Sequence, residues 1–169
     1  DPRRRKAALA EGALKVYATA RDVHTLKAAV ALDPQRVVAL QLDVTDVASV
    51  DAAARAASDV TIVFNNAGVL EFGSFLDVGS DKIARQINTN FFGKLNMARA
   101  FAGVIEGNGG GALVNVLTLV ALASMPGLST YNASKAAAWS MTQSLRATLS
   151  SKGIEVFGVF PGAVDTDML

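Results

Sequence analysis

The sequence of 169 residues contains no cysteine and a single histidine, His24. The lack of cysteine excludes disulfides, thiolate nucleophiles and thiolate metal ligands, and it is compatible with a cytoplasmic protein. One histidine alone argues against a histidine-rich zinc site and against a Ser-His-Asp triad. The sequence also lacks a GxSxG nucleophile elbow and a Walker-type phosphate loop. We therefore expect no metal site and neither of these two chemistries.

The sequence also lacks an excess of charge of one sign and lacks long apolar runs. The chain has 16 Lys and Arg residues against 15 Asp and Glu residues, which leaves no overall footprint for a polyanion. The one basic run, Arg3–Lys6, has no aromatic residues interleaved with it and is interpreted as a solvated helix face. No apolar run approaches the about 18 residues that a transmembrane helix needs, and no secretory signal is recognisable. We expect neither nucleic acid nor a membrane as a partner.

What the sequence does contain is an alternation of apolar strand patterns and helical patterns. Strands are predicted at residues 14–20, 36–44, 59–68, 111–119 and 154–162. Helices are predicted at residues 1–12, 25–30, from 46 onward, 77–105 and 128–151. The strands are continuous apolar runs, which is typical of strands covered on both faces by helices. The predicted fold is therefore α/β, a doubly wound parallel sheet of the Rossmann-like, three-layer type, with residues 1–169 forming one partial domain.

The strongest candidate for chemistry is the segment YNASK, in which Tyr131 and Lys135 are four residues apart. On a helix these two side chains share one face. An ammonium beside a phenol stabilises the phenolate, and lowering a tyrosine pKa from about 10 toward 7 takes about 4 kcal/mol. A tyrosine with such a pKa can give or take a proton near neutral pH. The alternative interpretation is a Tyr131 ring packed over the aliphatic stem of Lys135.

Six short motifs occur in order along the chain: LDVTD, NNAG, NxxG at Asn90–Gly93, VNVLT, YxxxK and PGxxxT. From KVYATARD to PGAVDTDM, the chain resembles the classical short-chain dehydrogenase/reductase family. The resemblance implies a Rossmann-like fold, a nicotinamide dinucleotide cofactor, and hydride transfer between that cofactor and a small-molecule alcohol or carbonyl substrate. It also implies a homodimer or homotetramer that pairs through the two long predicted helices, 77–105 and 128–151.

The resemblance implies a catalytic role for four residues. Tyr131 corresponds to the general acid/base, and Lys135 corresponds to the residue that lowers its pKa and holds the nicotinamide ribose. Thr118 stands 13 residues before Tyr131, at a position where the family usually has the serine that orients the substrate carbonyl. Asn90 corresponds to the asparagine that supports a proton relay through water.

The same resemblance implies a set of cofactor-binding residues in addition to Tyr131 and Lys135. These are Asp43 and Val44 at the adenine, Asn66, Ala67 and Gly68 along the adenosine ribose, and Pro161, Gly162, Val164 and Thr166 over the nicotinamide. Arg21 follows the first predicted strand, where a cation accommodates a 2′-phosphate and an acid would bond a ribose hydroxyl. Arg21 therefore favours NADP(H), while the adjacent Asp22 leaves NAD(H) open.

The family's first strand and its TGxxxGxG phosphate loop would come before residue 1, and its last strand would come after residue 169. The chain does not begin with Met, and three explanations stay open: a fragment, a sequence restricted to retained residues, or a naturally shortened relative. The first strand of this fold lies inside the sheet, so we expect two unpaired inner strand edges. Each unsatisfied backbone group at a buried edge costs about 1–3 kcal/mol.

Three functions from different classes are compatible with these observations. The first is an NADP(H)-dependent oxidoreductase that interconverts an alcohol and a carbonyl, with Tyr131 as acid/base. The second is a catalytically inactive or cofactor-deficient chain that serves as a structural or interaction protein. The third is nucleic-acid binding through the basic first helix, which salt-dependent affinity would reveal. Four apolar residues near the predicted site either favour an apolar substrate or simply pack there: Leu70, Phe72, Val120 and Leu122.

Overall fold

The computed structural model describes residues 2–162 of the chain. Spatial proximity divides the chain into two compact units, Asp1–Ala57 and Ser58–Leu169. Both units combine parallel strands with helices. The α/β class predicted from the sequence is therefore confirmed, whereas the assignment of the whole chain to one domain stays a prediction.

The first unit contains a two-stranded parallel sheet. Its elements are α1 (Pro2–Ala10), β1 (Val16–Ala20), a 3-10 helix (Val23–Leu26), α2 (Lys27–Val30), β2 (Val37–Gln41) and α3 (Val47–Ala56). In the sheet, Val16 lies opposite Val37 and Ala20 lies opposite Gln41. A small core of buried side chains joins this sheet to its helices: Ala18, Leu26, Ala29 and Val37.

Two aspartates begin the helical segments of the first unit. Asp22 accepts a hydrogen bond from the His24 N–H at 2.9 Å, and Asp46 accepts one from the Ala48 N–H at 3.0 Å. Such caps satisfy backbone donors that have no partner within the helix. The predicted helix start at Asp46 is confirmed. The predicted helix at 25–30 is instead a 3-10 turn followed by one short α-helical turn.

The second unit contains a three-stranded parallel sheet in the order β3-β4-β5. Its strands are β3 (Ile62–Asn65), β4 (Gly111–Val116) and β5 (Ile154–Val159). Its helices are α4 (Ser80–Ile87), a π-helix (Asn88–Phe92), α5 (Gly93–Gly107), α6 (Ser129–Leu149) and two 3-10 helices, Leu119–Ala121 and Ser150–Lys152. Helix α5 packs against all three strands and α6 packs against β5. The core of this unit includes the fully buried side chains of Ile105, Leu113, Leu117 and Ile154.

Burial differs between the strands of the second unit. The central strand β4 is buried from Leu113 to Val116. In β3 and β5, buried residues alternate with more exposed ones, and Ile62 and Phe64 are 51% and 56% exposed. The prediction of strands covered on both faces is thus wrong for β3 and β5. Each is an edge strand of this three-stranded sheet, whereas β4 lies between them.

The predicted helical stretch at 77–105 is confirmed as an unbroken run of helical residues, 80–107, but it contains a π-helical segment. Helix α4 begins only at Ser80, and the π-helix Asn88–Phe92 separates it from α5. A π-helix widens the helical turn and is frequent at functional sites. Apolar periodicity does not reveal such a turn, and the buried residue of α4, Gln86, is polar.

Candidate active site

The turn that follows β3 lies at the carboxyl end of the three-stranded sheet. Asn66 and Ala67 are exposed in this turn, and Gly68 is half-buried. A Cβ at Gly68 would lie 3.2 Å from Asn90 Oδ1 and 3.4 Å from Lys135 Nζ, so a larger residue would crowd both groups. Ligands of parallel α/β sheets bind at this end of the strands. The structure therefore brings a turn predicted to bind the cofactor against two of the predicted catalytic residues.

Tyr131 and Lys135 lie in the first two turns of α6 and are almost fully buried, with 8% and 3% of their surface exposed. The Lys135 Nζ atom lies over the Tyr131 ring, 5.4 Å from its centroid. The same atom donates a hydrogen bond to the Val116 carbonyl at 3.3 Å. The predicted shared helix face is confirmed, and Lys135 reaches from that face to the carboxyl end of β4.

Burial dominates the protonation of this pair. It raises the pKa of the Tyr131 phenol above its ordinary value of 10.0 and lowers the pKa of the Lys135 ammonium from 10.5 to about 8. Both shifts favour the neutral form, because desolvation penalises the charged one. The direction of this Tyr131 shift is opposite to the lowering expected from Lys135, and burial of the phenol is its cause.

Asn90 lies in the π-helix and is completely buried. Its Oδ1 accepts from the Val69 N–H and its Nδ2 donates to the Val69 carbonyl, each at 2.9 Å. Nδ2 also donates to Ser134 Oγ at 2.9 Å, and Ser134 Oγ donates to the Tyr131 carbonyl at 2.8 Å. Asn90 therefore ties the segment after β3 to the helix that carries Tyr131. Its role in a proton relay stays a prediction.

Thr118 and the Pro161-Gly162 segment follow β4 and β5. Thr118 is half-buried and precedes the 3-10 helix that begins at Leu119, and this helix packs against α6. The Leu119 N–H donates to the Pro161 carbonyl at 3.4 Å, while Gly162 is exposed. The ends of β4 and β5 thus meet beside the 3-10 helix. Two of the residues predicted to cover the nicotinamide lie outside the described residues: Val164 and Thr166.

In the first unit, Arg21 and Asp43 follow the ends of β1 and β2. The Thr45 hydroxyl and N–H donate to Asp43 Oδ1 at 2.7 and 2.9 Å. These two bonds and the nearby charge of Arg21 hold the pKa of Asp43 below its ordinary value. The Arg21 side chain is exposed, Val44 is half-buried, and Asp22 uses its carboxylate to cap the 3-10 helix that follows.

The sequence did not point to two buried residues that bond to this site, Ser134 and Lys94. Ser134 links Asn90 to α6, as described above. Lys94 is 2% exposed, and its Nζ donates to the carbonyls of Asn65 and Ala67 at 2.9 and 3.2 Å. The spacing along the chain could have predicted the position of Lys94, since it follows Asn90 by four residues and such residues share one side of a helix.

Neither a metal cluster nor a membrane span is found in the described part of the chain. Within residues 2–162, no group of three or more His, Asp or Glu side chains could hold a metal ion. None of the described helices combines the length and apolar character that crossing a membrane requires.

Similarity to known proteins covers nearly the whole chain. A family model for short chain dehydrogenases matches residues 5–169. The short chain dehydrogenase pigC of Monascus ruber is 35% identical over 155 residues, which make up 89% of this chain and 51% of that protein. The chain spans between 22% and 62% of the length of the eight curated relatives compared.

Solved structures of short-chain dehydrogenases share the fold, among them two from Burkholderia species. A short chain dehydrogenase from Burkholderia cenocepacia J2315, in complex with NADP, is 40% identical with a TM-score of 0.89, covering 96% of this chain and 67% of that one. A short chain dehydrogenase/reductase from Burkholderia phymatum, in complex with NAD, is 27% identical with a TM-score of 0.86, covering 96% and 63%. These two proteins thus hold different nicotinamide dinucleotides, one with a 2′-phosphate and one without.

Proposed function

Because the chain belongs to the short-chain dehydrogenase family, we propose that the protein interconverts an alcohol and a carbonyl with a nicotinamide cofactor, NADP(H) in preference to NAD(H). The observation that carries this proposal is the buried cluster of Tyr131, Lys135 and Asn90 beside Gly68. A phenol, an ammonium and a glycine turn meet there at the carboxyl ends of parallel strands, where ligands of α/β sheets bind.

The residues of the second unit fit such a cofactor. Because glycine has no side chain, Gly68 leaves space beside Lys135 Nζ and Asn90 Oδ1. An ammonium with three donors suits the hydroxyl oxygens of a ribose. Lys135 and the turn from Asn66 to Gly68 would hold the ribose parts of the cofactor. When bound, the nicotinamide supplies the hydride donor or acceptor.

Tyr131 would move the proton of the reaction. Its phenolate would take the hydroxyl proton of an alcohol, and its phenol would give a proton to the oxygen of a carbonyl. A tyrosine with the ordinary pKa of 10.0 is a phenol at neutral pH, burial shifts the Tyr131 pKa further in that direction, and the phenol is the form that supports carbonyl reduction. Thr118 would orient the carbonyl oxygen through its hydroxyl. Asn90 would position Tyr131 through Ser134, which bonds the backbone of that tyrosine.

The preference for NADP(H) is supported by two neighbouring side chains of the first unit. Arg21 is exposed at the end of β1 and could bond a phosphate through its guanidinium. Asp22, the candidate partner for the unphosphorylated ribose of NAD(H), accepts the His24 N–H at 2.9 Å and is engaged in capping a helix. The cation is therefore better placed to select a cofactor than the acid.

Exposed apolar side chains support an apolar substrate as part of this proposal. Leu119 follows Thr118 directly and is 54% exposed, Leu122 lies three residues further on and is 58% exposed, and Phe72, in the segment after β3, is 68% exposed. Apolar side chains on the surface beside reacting groups favour an apolar ligand. The family resemblance adds a homodimer or homotetramer to the proposal, and the lack of cysteine is compatible with the cytoplasmic location that we also propose.

The cofactor part is tested by titrating the protein with NADPH and with NADH while following the fluorescence of its single tryptophan, Trp139. Arg21→Asp should raise the Kd for NADPH at least about tenfold, because a charge-assisted bond to the 2′-phosphate is lost. It should leave the Kd for NADH nearly unchanged. If the folded protein binds neither cofactor, the proposed function is wrong.

The catalytic part is tested with Tyr131→Phe, which keeps the ring and removes the hydroxyl. At saturating NADPH, this variant should lose at least about 100-fold in NADPH oxidation with a panel of apolar aldehydes and ketones. Retained activity in Tyr131→Phe would exclude the tyrosine as the proton donor.

A further inference from the structure

Three polar side chains spaced four residues apart are buried along one side of the helical stretch from α4 to α5. Gln86, Asn90 and Lys94 are 0%, 0% and 2% exposed, and we refer to them as the polar ladder. In a regular α-helix, positions eight residues apart would diverge by about 80° around the axis. The π-helix Asn88–Phe92 lies between the outer two members and, with more residues per turn, reduces that divergence.

All three members of the polar ladder bond to the backbone of the irregular segment that follows β3. Gln86 Oε1 accepts from the Glu71 N–H at 3.3 Å, and Asn90 makes its two bonds of 2.9 Å to Val69. At the other end of the polar ladder, Lys94 Nζ donates to the carbonyls of Asn65 and Ala67. The bonds run antiparallel to the helix, so the segment is fixed at intervals of about two residues, which is the spacing of same-side groups in an extended chain.

Lys94 holds the end of this segment that lies next to the sheet. Its ammonium donates to the Asn65 carbonyl at 2.9 Å and to the Ala67 carbonyl at 3.2 Å. The two carbonyls stand on either side of Asn66, so one charged group closes the turn by joining both of its sides. Bonds from an ionised donor are roughly twice as strong as neutral ones. Within residues 2–162, strand pairing of β3 ends at Asn65, so no ladder of the described sheet holds this turn.

We propose that Lys94 positions the turn from Asn65 to Gly68 and thereby sets the affinity of the protein for both NADPH and NADH. This inference rests on the proposed function and extends it to a buried residue that bonds to the backbone of the turn. The ammonium fixes the path of the backbone on which Asn66, Ala67 and Gly68 are carried. Since it acts on the ribose-binding turn, its effect is the same with and without a 2′-phosphate.

The test compares three variants by NADPH and NADH titration and by thermal unfolding. Lys94→Met keeps the stem and removes the donor, and it should raise both Kd values about tenfold, the equivalent of one lost charged hydrogen bond. Lys94→Gln keeps a donor that can reach one carbonyl and should give intermediate Kd values. Gln86→Met is the matched control, because it removes the opposite end of the polar ladder at equal burial, and it should change both Kd values less than twofold.

The outcomes separate this inference from the proposed function. Weaker binding of both cofactors by the Lys94 variants, but not by Gln86→Met, supports it, and Lys94→Gln provides this comparison if Lys94→Met does not fold. Equal losses in all variants would mean a purely structural role and would overturn the inference while the function stands. Binding of neither cofactor by the unmodified protein would overturn the proposed function itself, and this inference with it.

Discussion

Between pH 7 and pH 10, Lys135 should make the folded protein progressively more stable, and Lys135→Met should abolish that gain. Burial lowers the pKa of Lys135 from 10.5 to about 8. Below pH 8 the ammonium is charged in the folded and unfolded states alike, and its desolvation penalty is fully present. As pH rises from 8 to 10.5, the folded state loses its proton first, so the free energy of unfolding increases. The shift corresponds to about 3 kcal/mol, most of it recovered by pH 10.

The assay is urea denaturation of the unmodified protein and of Lys135→Met at pH 7, 8, 9 and 10 and constant ionic strength. All other titrating groups are common to both proteins, so the difference between the two pH profiles isolates Lys135. The range ends at pH 10 because the raised pKa of Tyr131 acts in the opposite direction above that value, where the folded state keeps a proton that the unfolded state loses. A difference that stays constant within about 0.5 kcal/mol would refute the desolvation of Lys135.

Three further changes test a contact of the site, a hydrogen-bond network across the sheet of the second unit, and a helix cap of the first unit. Gly68→Ala places a Cβ 3.2 Å from Asn90 Oδ1 and 3.4 Å from Lys135 Nζ, so it should weaken NADPH binding in a titration, whereas equal affinity would show that the two side chains can move aside. Asn115→Leu removes a buried amide that bonds across the sheet to β3 and onward to α6, and it should lower the free energy of unfolding by about 2–4 kcal/mol in urea, with a loss below about 1 kcal/mol contradicting the network. Asp46→Ala should cost about 1 kcal/mol through loss of the α3 cap, and Asp46→Asn, which keeps the acceptor, should cost much less.

The protonation of Tyr131 and Lys135 determines how the rate of the proposed reaction depends on pH and on charged groups beside the pair. Burial favours the neutral form of both groups, so the pair by itself does not stabilise a phenolate. An anionic or strongly accepting group placed against Lys135 would raise the lysine pKa, because an opposite charge favours the charged form. An ammonium that persists to higher pH would in turn lower the cost of a Tyr131 phenolate. Alcohol oxidation needs the Tyr131 phenolate, which is scarce at neutral pH, whereas carbonyl reduction needs the phenol, which is abundant there. The rate of alcohol oxidation should therefore depend more steeply on pH than the rate of carbonyl reduction.

Hydrogen bonds between distant residues show what the sequence could not supply. Asn65 and Asn115 are paired across β3 and β4, and Nδ2 of the former donates to Oδ1 of the latter at 2.9 Å. Asn115 in turn donates to Thr142 Oγ1 on α6 at 2.9 Å. The three residues are widely separated in the chain, and each pattern around them is that of an ordinary strand or helix. Their contact follows from strand register, which depends on the packing of whole elements.

The sequence by itself determined the order of strands and helices, the family, and the shared face of Tyr131 and Lys135, because these depend on local periodicity and on spacing along one helix. Asp46 began its helix as predicted for the same reason, since a cap bonds only to the residues that follow it. Tertiary structure decided the rest. The π-helix, the burial of Lys94 and the direction of the Tyr131 pKa shift all depend on which groups are removed from water by elements distant in the chain, and no local pattern encodes that removal.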